Sequence, residues 1–369
     1  MNFTLDEELE AVRGLAAEIF ADHATVERVR AVEGSPSRVD EELWTELAKA
    51  GLLGIVLPED AGGAGLGLGA LCVLLEEQGR FVAPVPVWPA TVAALAVAAC
   101  GTPEQRRDVL PGAADGSSRL TVALEEFGSH DPGAPECVAE PDGEGWRLTG
   151  TKAVVPTPSG ADHVLVAARA ASGTGLFLVA SDAEGVVWQH AETTTHDLGG
   201  TLVLTGAPAR AVGTPGDGTL DRTIAHASVA LAALQLGVAQ GAVRHAATYL
   251  GERVQFGRPL ATFQAVQHQL ADCYIEIDAM RVCLWQAVSA IEEGEGAAAA
   301  VLVAKWWAGE AGLNVVHRAL HVHGGIGVDI DYPVHRHFLW GKQLAATLGG
   351  AGSDLARLGA VLAGGPVAS

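Results

Sequence analysis

The hydrophobic period of this chain changes twice along its length, and that limits its architecture more than any single motif. Near the N-terminus apolar residues recur at helical spacing through Leu9, Val12, Leu15, Ile19 and Phe20. Thr4-Leu5-Asp6-Glu7 ahead of them reads as a capping box, with Thr4 as N-cap. Further helices are predicted over Glu41–Ala50, from the end of the glycine-rich Gly62–Gly69 to about Gln78, and from Thr102-Pro103-Glu104 to near Pro111-Gly112. From Leu120 the pattern becomes short β-branched runs separated by Gly, Pro, Asp and Ser. These runs are Leu120–Leu124, Trp146–Leu148, Lys152–Val155, His163–Ala168, Gly175–Ala180, Gly185–Gln189 and Thr201–Leu204. They predict a small antiparallel β domain. Beyond Asp221 the helical period returns to the end of the chain. Thr223–Leu250, Phe263–Glu293, Ala297–His323 and Ser353–Leu362 are Ala-rich, with apolar faces wide enough for a four-helix bundle.

With 49% hydrophobic and 18% charged residues, the 369-residue chain can bury a large core. Its formal net charge of −21 (23 Lys plus Arg against 44 Asp plus Glu) and the lack of a basic run argue against a duplex nucleic acid or an anionic membrane as partner, since both need a positive face. Cys72, Cys100, Cys137, Cys273 and Cys283 form no C-x-x-C pair, which suits reduced thiols. The acidic N-terminus shows no apolar signal core, and the apolar run Val92–Cys100 is too short to span a bilayer. A cytoplasmic location is expected.

Several stretches could carry chemistry. Gly62–Gly69 lacks the Lys-Ser/Thr of a phosphate loop and is flanked by helices, so it reads as a structural turn. His321-Val322-His323-Gly324-Gly325-Ile326-Gly327 reads either as a helix C-cap or as a place where a ligand or a second backbone approaches closely. Its histidines, with His317, His335 and His337, have no zinc-ligand spacing, so no metal is expected. Arg253-Val254-Gln255-Phe256-Gly257 interrupts two helices. Its arginine could grip a pyrophosphate or cap its own helix. There is no G-x-S-x-G, and the neighbours Glu125 and Glu126 point to opposite faces of a strand, so they are no catalytic dyad.

Together these stretches resemble the acyl-CoA dehydrogenase family over essentially the full length. The resemblance is carried by Leu57-Pro58-Glu59 to Gly67, Gly101-Thr102-Pro103-Glu104-Gln105-Arg106 to Leu110-Pro111, and Leu148-Thr149-Gly150-Thr151-Lys152. It continues in Arg253-Val254-Gln255-Phe256-Gly257 with Phe263-Gln264, and in His323-Gly324-Gly325-Ile326-Gly327 with Tyr332-Pro333-Val334-His335-Arg336. The resemblance implies a mixed α and β fold: an N-terminal α-helical domain (1–117), a middle antiparallel β-barrel domain (118–217) and a C-terminal four-helix bundle (218–369). It implies FAD, an acyl-CoA substrate, α,β-desaturation with a Glu as base, a tetramer, and an acceptor such as electron-transfer flavoprotein.

The chain departs from the family at the chemistry. The usual position of the base aligns with Gly349, and the alternative position on the first bundle helix aligns with Ala227; neither carries a proton acceptor. Asp221, Glu252 and Asp354 are the nearby acids that could substitute. Where the family's strand places a Thr on the flavin, Glu125 stands. The next flavin contact falls on Pro156, which has neither hydroxyl nor N–H, unless the register slips and Thr157 supplies it. In contrast, Arg253, Gln255, Phe256, Phe263, Gln264, Gly324 and Gly325 match the residues with which one subunit grips the ADP end of its neighbour's FAD, and His321 stands for the usual Gln. The expectation is a non-catalytic subunit of a heteromeric (α2β2) sterol side-chain acyl-CoA dehydrogenase, sharing FAD with a competent partner. A self-sufficient homotetramer with a relocated base, a flavin monooxygenase of the same fold, and a pure scaffold remain the alternatives.

Overall fold

The computed structural model describes residues 5–128, 131–294 and 296–364. Six helices come first: α1 (Glu7–His23), α2 (Val26–Glu33), α3 (Glu41–Lys49), α4 (Gly67–Phe81), α5 (Val87–Cys100) and α6 (Pro103–Asp115). Seven strands follow: β1 (Leu120–Ala123), β2 (Val138–Asp142), β3 (Gly145–Pro156), β4 (His163–Ala170), β5 (Gly173–Ala180), β6 (Val186–Glu192) and β7 (Leu198–Val212). Then come α7 (Thr219–Glu252), a two-stranded hairpin β8 (Val254–Gln255) and β9 (Arg258–Pro259), α8 (Gln264–Glu293), α9 (Ala297–His323), α10 (Val334–Ala346) and α11 (Ala351–Leu362). The helical, sheet, helical order follows the change of period.

Local chemistry sets the boundaries. Thr4 lies outside the described residues; α1 is capped by Asp6, whose carboxylate accepts the Leu9 N–H at 2.8 Å. In α6 the reciprocal box is complete: Thr102 Oγ1 accepts the Gln105 N–H and Gln105 Oε1 accepts the Thr102 N–H. Helix α5 shows no apolar stripe because it is buried nearly all round, Thr91 included. The glycine-rich turn before α4 is structural, since a Cβ on Gly63 would sit 2.1 Å from the Leu57 carbonyl oxygen.

The chain folds as two compact units. One contains Met1–Val29, Cys72–Ala83 and Ser228–Ala368. In it α4 crosses α7 on bare backbone: a Cβ on Gly237 would lie 1.9 Å from the Glu76 carbonyl oxygen, and one on Gly79 would lie 2.2 Å from that of Leu234. Five helices, not four, begin at or after Thr219 among the described residues; the extra one, α10, buries His335, Arg336 and His337, polar residues that read as surface. Among the described residues one helix, Thr219–Glu252, is long and apolar enough to cross a membrane, and most of its apolar stretch is buried in the protein.

The second unit contains Arg30–Leu71 and Pro84–Ala227. Its sheet is organised on the long antiparallel pair β3–β7, which runs from Trp146↔Ala209 to Pro156↔Gly199. The pairings β2–β3, β3–β7, β7–β5, β5–β4 and β4–β2 close a ring of five strands, with β1 on β4 and β6 on β7. Leu148, Val164, Val166, Phe177 and Leu202 fill its core, and Trp146 packs edge-on to Phe177 at 5.2 Å. The expectation of an all-antiparallel domain is corrected at β1, which pairs parallel with β4 (Leu120↔His163 to Ala123↔Val166). The β2–β3 hairpin lies between them in sequence and acts as the crossover a parallel pair needs.

Candidate cofactor site

The arginine stretch forms the turn between α7 and α8. The Arg253 N–H still donates to the Tyr249 carbonyl at 2.8 Å, and its own carbonyl accepts from Leu260 at 2.9 Å. Val254↔Pro259 and Gln255↔Arg258 pair across the hairpin. Phe256 and Gly257 form the tip with φ of 53° and 78°. Two positive φ values suit a tight hairpin turn, but a left-handed Phe is strained. Phe256 is nonetheless 91% exposed, with its ring edge-on to Phe263 at 6.1 Å. The guanidinium of Arg258 covers the other ring at 4.2 Å. A large aromatic held in a strained and exposed position is what a binding surface, not a core, requires. Arg253, Gln255 and Gln264 are exposed beside it.

His321, Gly324 and Gly325 are exposed at the C-terminal end of α9. Gly324 has φ 65° and ψ −142°, a conformation open only to glycine. A Cβ on Gly324 or Gly325 would meet nothing within 4 Å, so neither glycine is required by packing within the chain. Gly327 differs: there a Cβ would lie 2.7 Å from the Leu320 carbonyl oxygen. Buried His323 is also structural. Its Nδ1 lies 2.6 Å from the Ala319 carbonyl, and its ring stacks on Tyr249 at 4.7 Å with Tyr332 at 5.3 Å. That stack joins the end of α7 to the end of α9, so the arginine hairpin and the His321–Gly325 turn share one end of the helical unit. Tyr249 and Tyr332 were missed in the sequence, although Tyr332 opens the Tyr332-Pro333 motif. The outward-facing hairpin and the open glycines fit the ADP portion of a dinucleotide, which needs a cation, stacking rings and close backbone approach.

The opposite holds in the sheet unit. At the end of β3 the register slips between Lys152 and Val155, with Val154 at φ 47° and Thr157 at φ 44°. The Pro156 carbonyl accepts the Thr121 hydroxyl. The register does not free Thr157: its N–H donates to Leu198 and its hydroxyl donates to Asp197 at 3.2 Å. Burial pushes the Asp197 carboxyl up to about 6. The Glu125 carbonyl accepts from Ala153. Glu126 accepts from the Glu136 and Cys137 N–H groups and from Lys152 Nζ. Burial alone would raise its carboxyl, but Lys152 and the two amides outweigh that and hold it below its ordinary range. Both donors of Thr157 are therefore spent inside the unit and Pro156 has none to offer, so neither side chain fits the flavin-ring contact expected here.

Neither Gly349 nor Ala227, the two positions to which the resemblance pointed for the base, carries an acid. Gly349, at φ 95°, sits in the turn between α10 and α11, and its carbonyl accepts from Lys305 Nζ at 3.3 Å. Ala227 is fully buried on α7. Of the three substitute acids, Asp354 is wholly buried, 3.7 Å from Lys305 Nζ, with its carboxyl raised by burial and partly offset by that lysine. Buried and engaged, it is not placed to meet a substrate. Partial desolvation and the nearby Asp131 raise Asp221. Glu252 is exposed at the last turn of α7.

Residues 6–117 match the acyl-CoA dehydrogenase N-terminal domain and residues 216–356 the C-terminal domain. The chain is 38% identical to acyl-CoA dehydrogenase FadE27 of Mycobacterium tuberculosis, over 98% of this chain and 99% of that one. Among solved structures it resembles a chain of a Tcur3481–Tcur3483 steroid ACAD variant, with TM-score 0.95 and 66% identity over 98% of this chain and 99% of that chain. It also resembles a chain of the ChsE4–ChsE5 complex from Mycobacterium tuberculosis, with TM-score 0.94 and 39% identity over 99% and 100% of the two chains. The protein belongs to the acyl-CoA dehydrogenase family, whose members are FAD-dependent.

Proposed function

We propose that this chain is the non-catalytic subunit of a heteromeric steroid-type acyl-CoA dehydrogenase. The observation that carries this reading is an asymmetry within one chain. Arg253, Phe256 and Gln264 face outward and packing does not require Gly324 or Gly325, whereas on the ring side Thr157 spends its donors inside the unit and Pro156 has none. Arg253 would grip the pyrophosphate. Phe256 and Phe263 would pack on the dinucleotide, Gln255, Gln264 and His321 would donate or accept hydrogen bonds, and Gly324 and Gly325 would admit the ligand to the backbone. The ring would be held by the β domain of a competent partner, which would also supply the carboxylate that removes the α-proton. FAD, when bound, supplies the acceptor for the hydride leaving the substrate β-carbon. Gly349 and Ala227 leave this chain without that base.

Exposed apolar side chains support a partner surface: Val328 and Ile330 follow the double glycine, and Tyr274, Ile275 and Val282 are exposed along the middle of α8. The solved relatives, a two-component steroid ACAD and a ChsE4–ChsE5 complex, support a second, different chain and a steroid-type substrate; two copies of each chain, a steroid side-chain acyl-CoA as substrate and an electron-transfer flavoprotein or similar acceptor complete the proposal. The same reading places the protein in the cytoplasm. It takes residues 1–117, 118–217 and 218–369 as its functional domains, the middle one a barrel and the last a four-helix bundle with α10 added. The test is dye reduction with a steroid side-chain acyl-CoA. Neither chain alone should reduce the dye and the assembled pair should. Turnover by this chain alone would contradict the reading.

A further inference from the structure

In a chain with 44 Asp plus Glu against 23 Lys plus Arg, an exposed arginine is expected to find an acid. Arg38, Arg147, Arg210 and Arg281 each do. Arg253 and Arg258, on one hairpin, meet no carboxylate among the described residues. Arg253 has a place in the cofactor reading above, and Arg258 has none. Its position is nevertheless well defined. Gln255↔Arg258 is the pair that closes the hairpin, so the two side chains leave the same face of it. The Arg258 guanidinium lies over the Phe263 ring at 4.2 Å, and that ring meets Phe256 edge-on at 6.1 Å. Stacking occupies the flat face of a guanidinium, while its five N–H donors lie in the plane and stay available. Among the described residues no acceptor of this chain takes them, and Arg258 is exposed.

We propose that Arg258 is a second cation of the cofactor grip and holds the diphosphate of FAD together with Arg253. The inference rests on the ADP-side reading of the hairpin, but not on the heteromeric one. Each phosphate of the diphosphate carries a negative charge, and a single guanidinium balances only one of them. Arg258 supplies the other on the same short turn. A guanidinium already stacked on a ring has lost most of its rotamer freedom before the ligand arrives, so little further ordering opposes binding. The Arg258–Phe263–Phe256 stack thus does two things: it orients the charge, and it keeps the aromatic surface of the hairpin in place.

The test takes the flavin-loaded protein in the assembly in which it purifies and follows free-flavin fluorescence on dilution, which reads FAD dissociation without turnover. Arg258→Met keeps an unbranched chain over Phe263 and removes the charge; Arg258→Lys keeps the charge and loses the planar group. Both change an exposed position, and the melting temperature at saturating FAD should not move. Arg258→Met should weaken FAD binding about tenfold or more, with a shallower salt dependence than wild type. Arg258→Lys should fall between the two. Wild-type affinity in Arg258→Met would overturn the proposal, and so would an Arg258→Lys as weak as Arg258→Met with the same salt dependence, since either leaves the side chain as no more than a cover for Phe263. Arg253→Ala measured in parallel separates the two claims. If it releases FAD while Arg258→Met does not, the ADP-side reading stands and Arg258 leaves the site; if neither variant releases FAD, both fall.

Discussion

Replacing Arg253 with alanine separates binding from folding, because the exposed guanidinium has no carboxylate partner among the described residues. The residue's structural work is done by its backbone, through the bonds to Tyr249 and Leu260, and alanine keeps both. Stability should therefore change by less than about 0.5 kcal/mol. Cofactor binding should change far more. A charge-assisted hydrogen bond contributes about 1.5–3 kcal/mol, and a two-pronged grip on an exposed pyrophosphate, discounted for solvent, contributes about 2–4 kcal/mol. The dissociation constant for FAD should rise about 30- to 900-fold. The assay dilutes the purified complex and follows the recovery of free-flavin fluorescence, with the melting temperature measured in parallel. Arg253→Lys should fall between wild type and alanine, since it keeps the charge but loses the fork. If Arg253→Ala releases FAD no more readily than wild type at unchanged melting temperature, the guanidinium does not hold the cofactor and the ADP-side assignment fails.

Other consequences can be measured in the same protein. Gly237→Ala should cost about 3 kcal/mol or more in urea unfolding, because its Cβ would lie 1.9 Å from a backbone oxygen of Glu76 that no side-chain rotation can move. Lys152→Met should cost about 3 kcal/mol by stranding Glu126 at 6% side-chain exposure, and adding Glu126→Gln should recover much of the loss in a double-mutant cycle. Acid should weaken the helical unit. Burial, with its cationic neighbours, lowers His245 to about 4, and burial beside His245 lowers His337 to about 3. The unfolded chain therefore binds protons near pH 6.5 that the folded chain refuses. Their contribution to stability is complete above that pH and is lost as the pH falls toward 4, at about 1.4 kcal/mol per pH unit for each histidine. Denaturant midpoints between pH 7 and 4.5 test this, and His337→Gln should remove about half of the slope.

What the sequence revealed was whatever its periodicity and local caps encode. The Thr102–Gln105 box, the helix beginning at Glu41 and the switch to β-branched runs at Leu120 are local signals, and each marks a real boundary. Helix α5 was hidden because burial on all sides removes the polar stripe that defines a period. Helix α10 was hidden because His335, Arg336 and His337 are buried polar residues that read as surface. The parallel β1–β4 pair and the closing β2–β4 contact are non-local and leave no trace in a window of a few residues. At the site, the motif positions of Arg253 and the double glycine were legible. The left-handed Phe256 was not, since a bulky residue is the last expected at positive φ. Thr157 could have gone either way from sequence; only the Asp197 side chain, forty residues on, shows where its hydroxyl is spent.

The central claim is that this chain supplies half of a cofactor site that a different chain completes. The most direct measurement is the visible spectrum and native mass of this chain purified alone, then of the same chain co-expressed with its dehydrogenase partner. The account predicts little or no flavin on the chain alone and two FAD in a co-expressed assembly of four chains. A yellow homotetramer carrying one FAD per chain would contradict it.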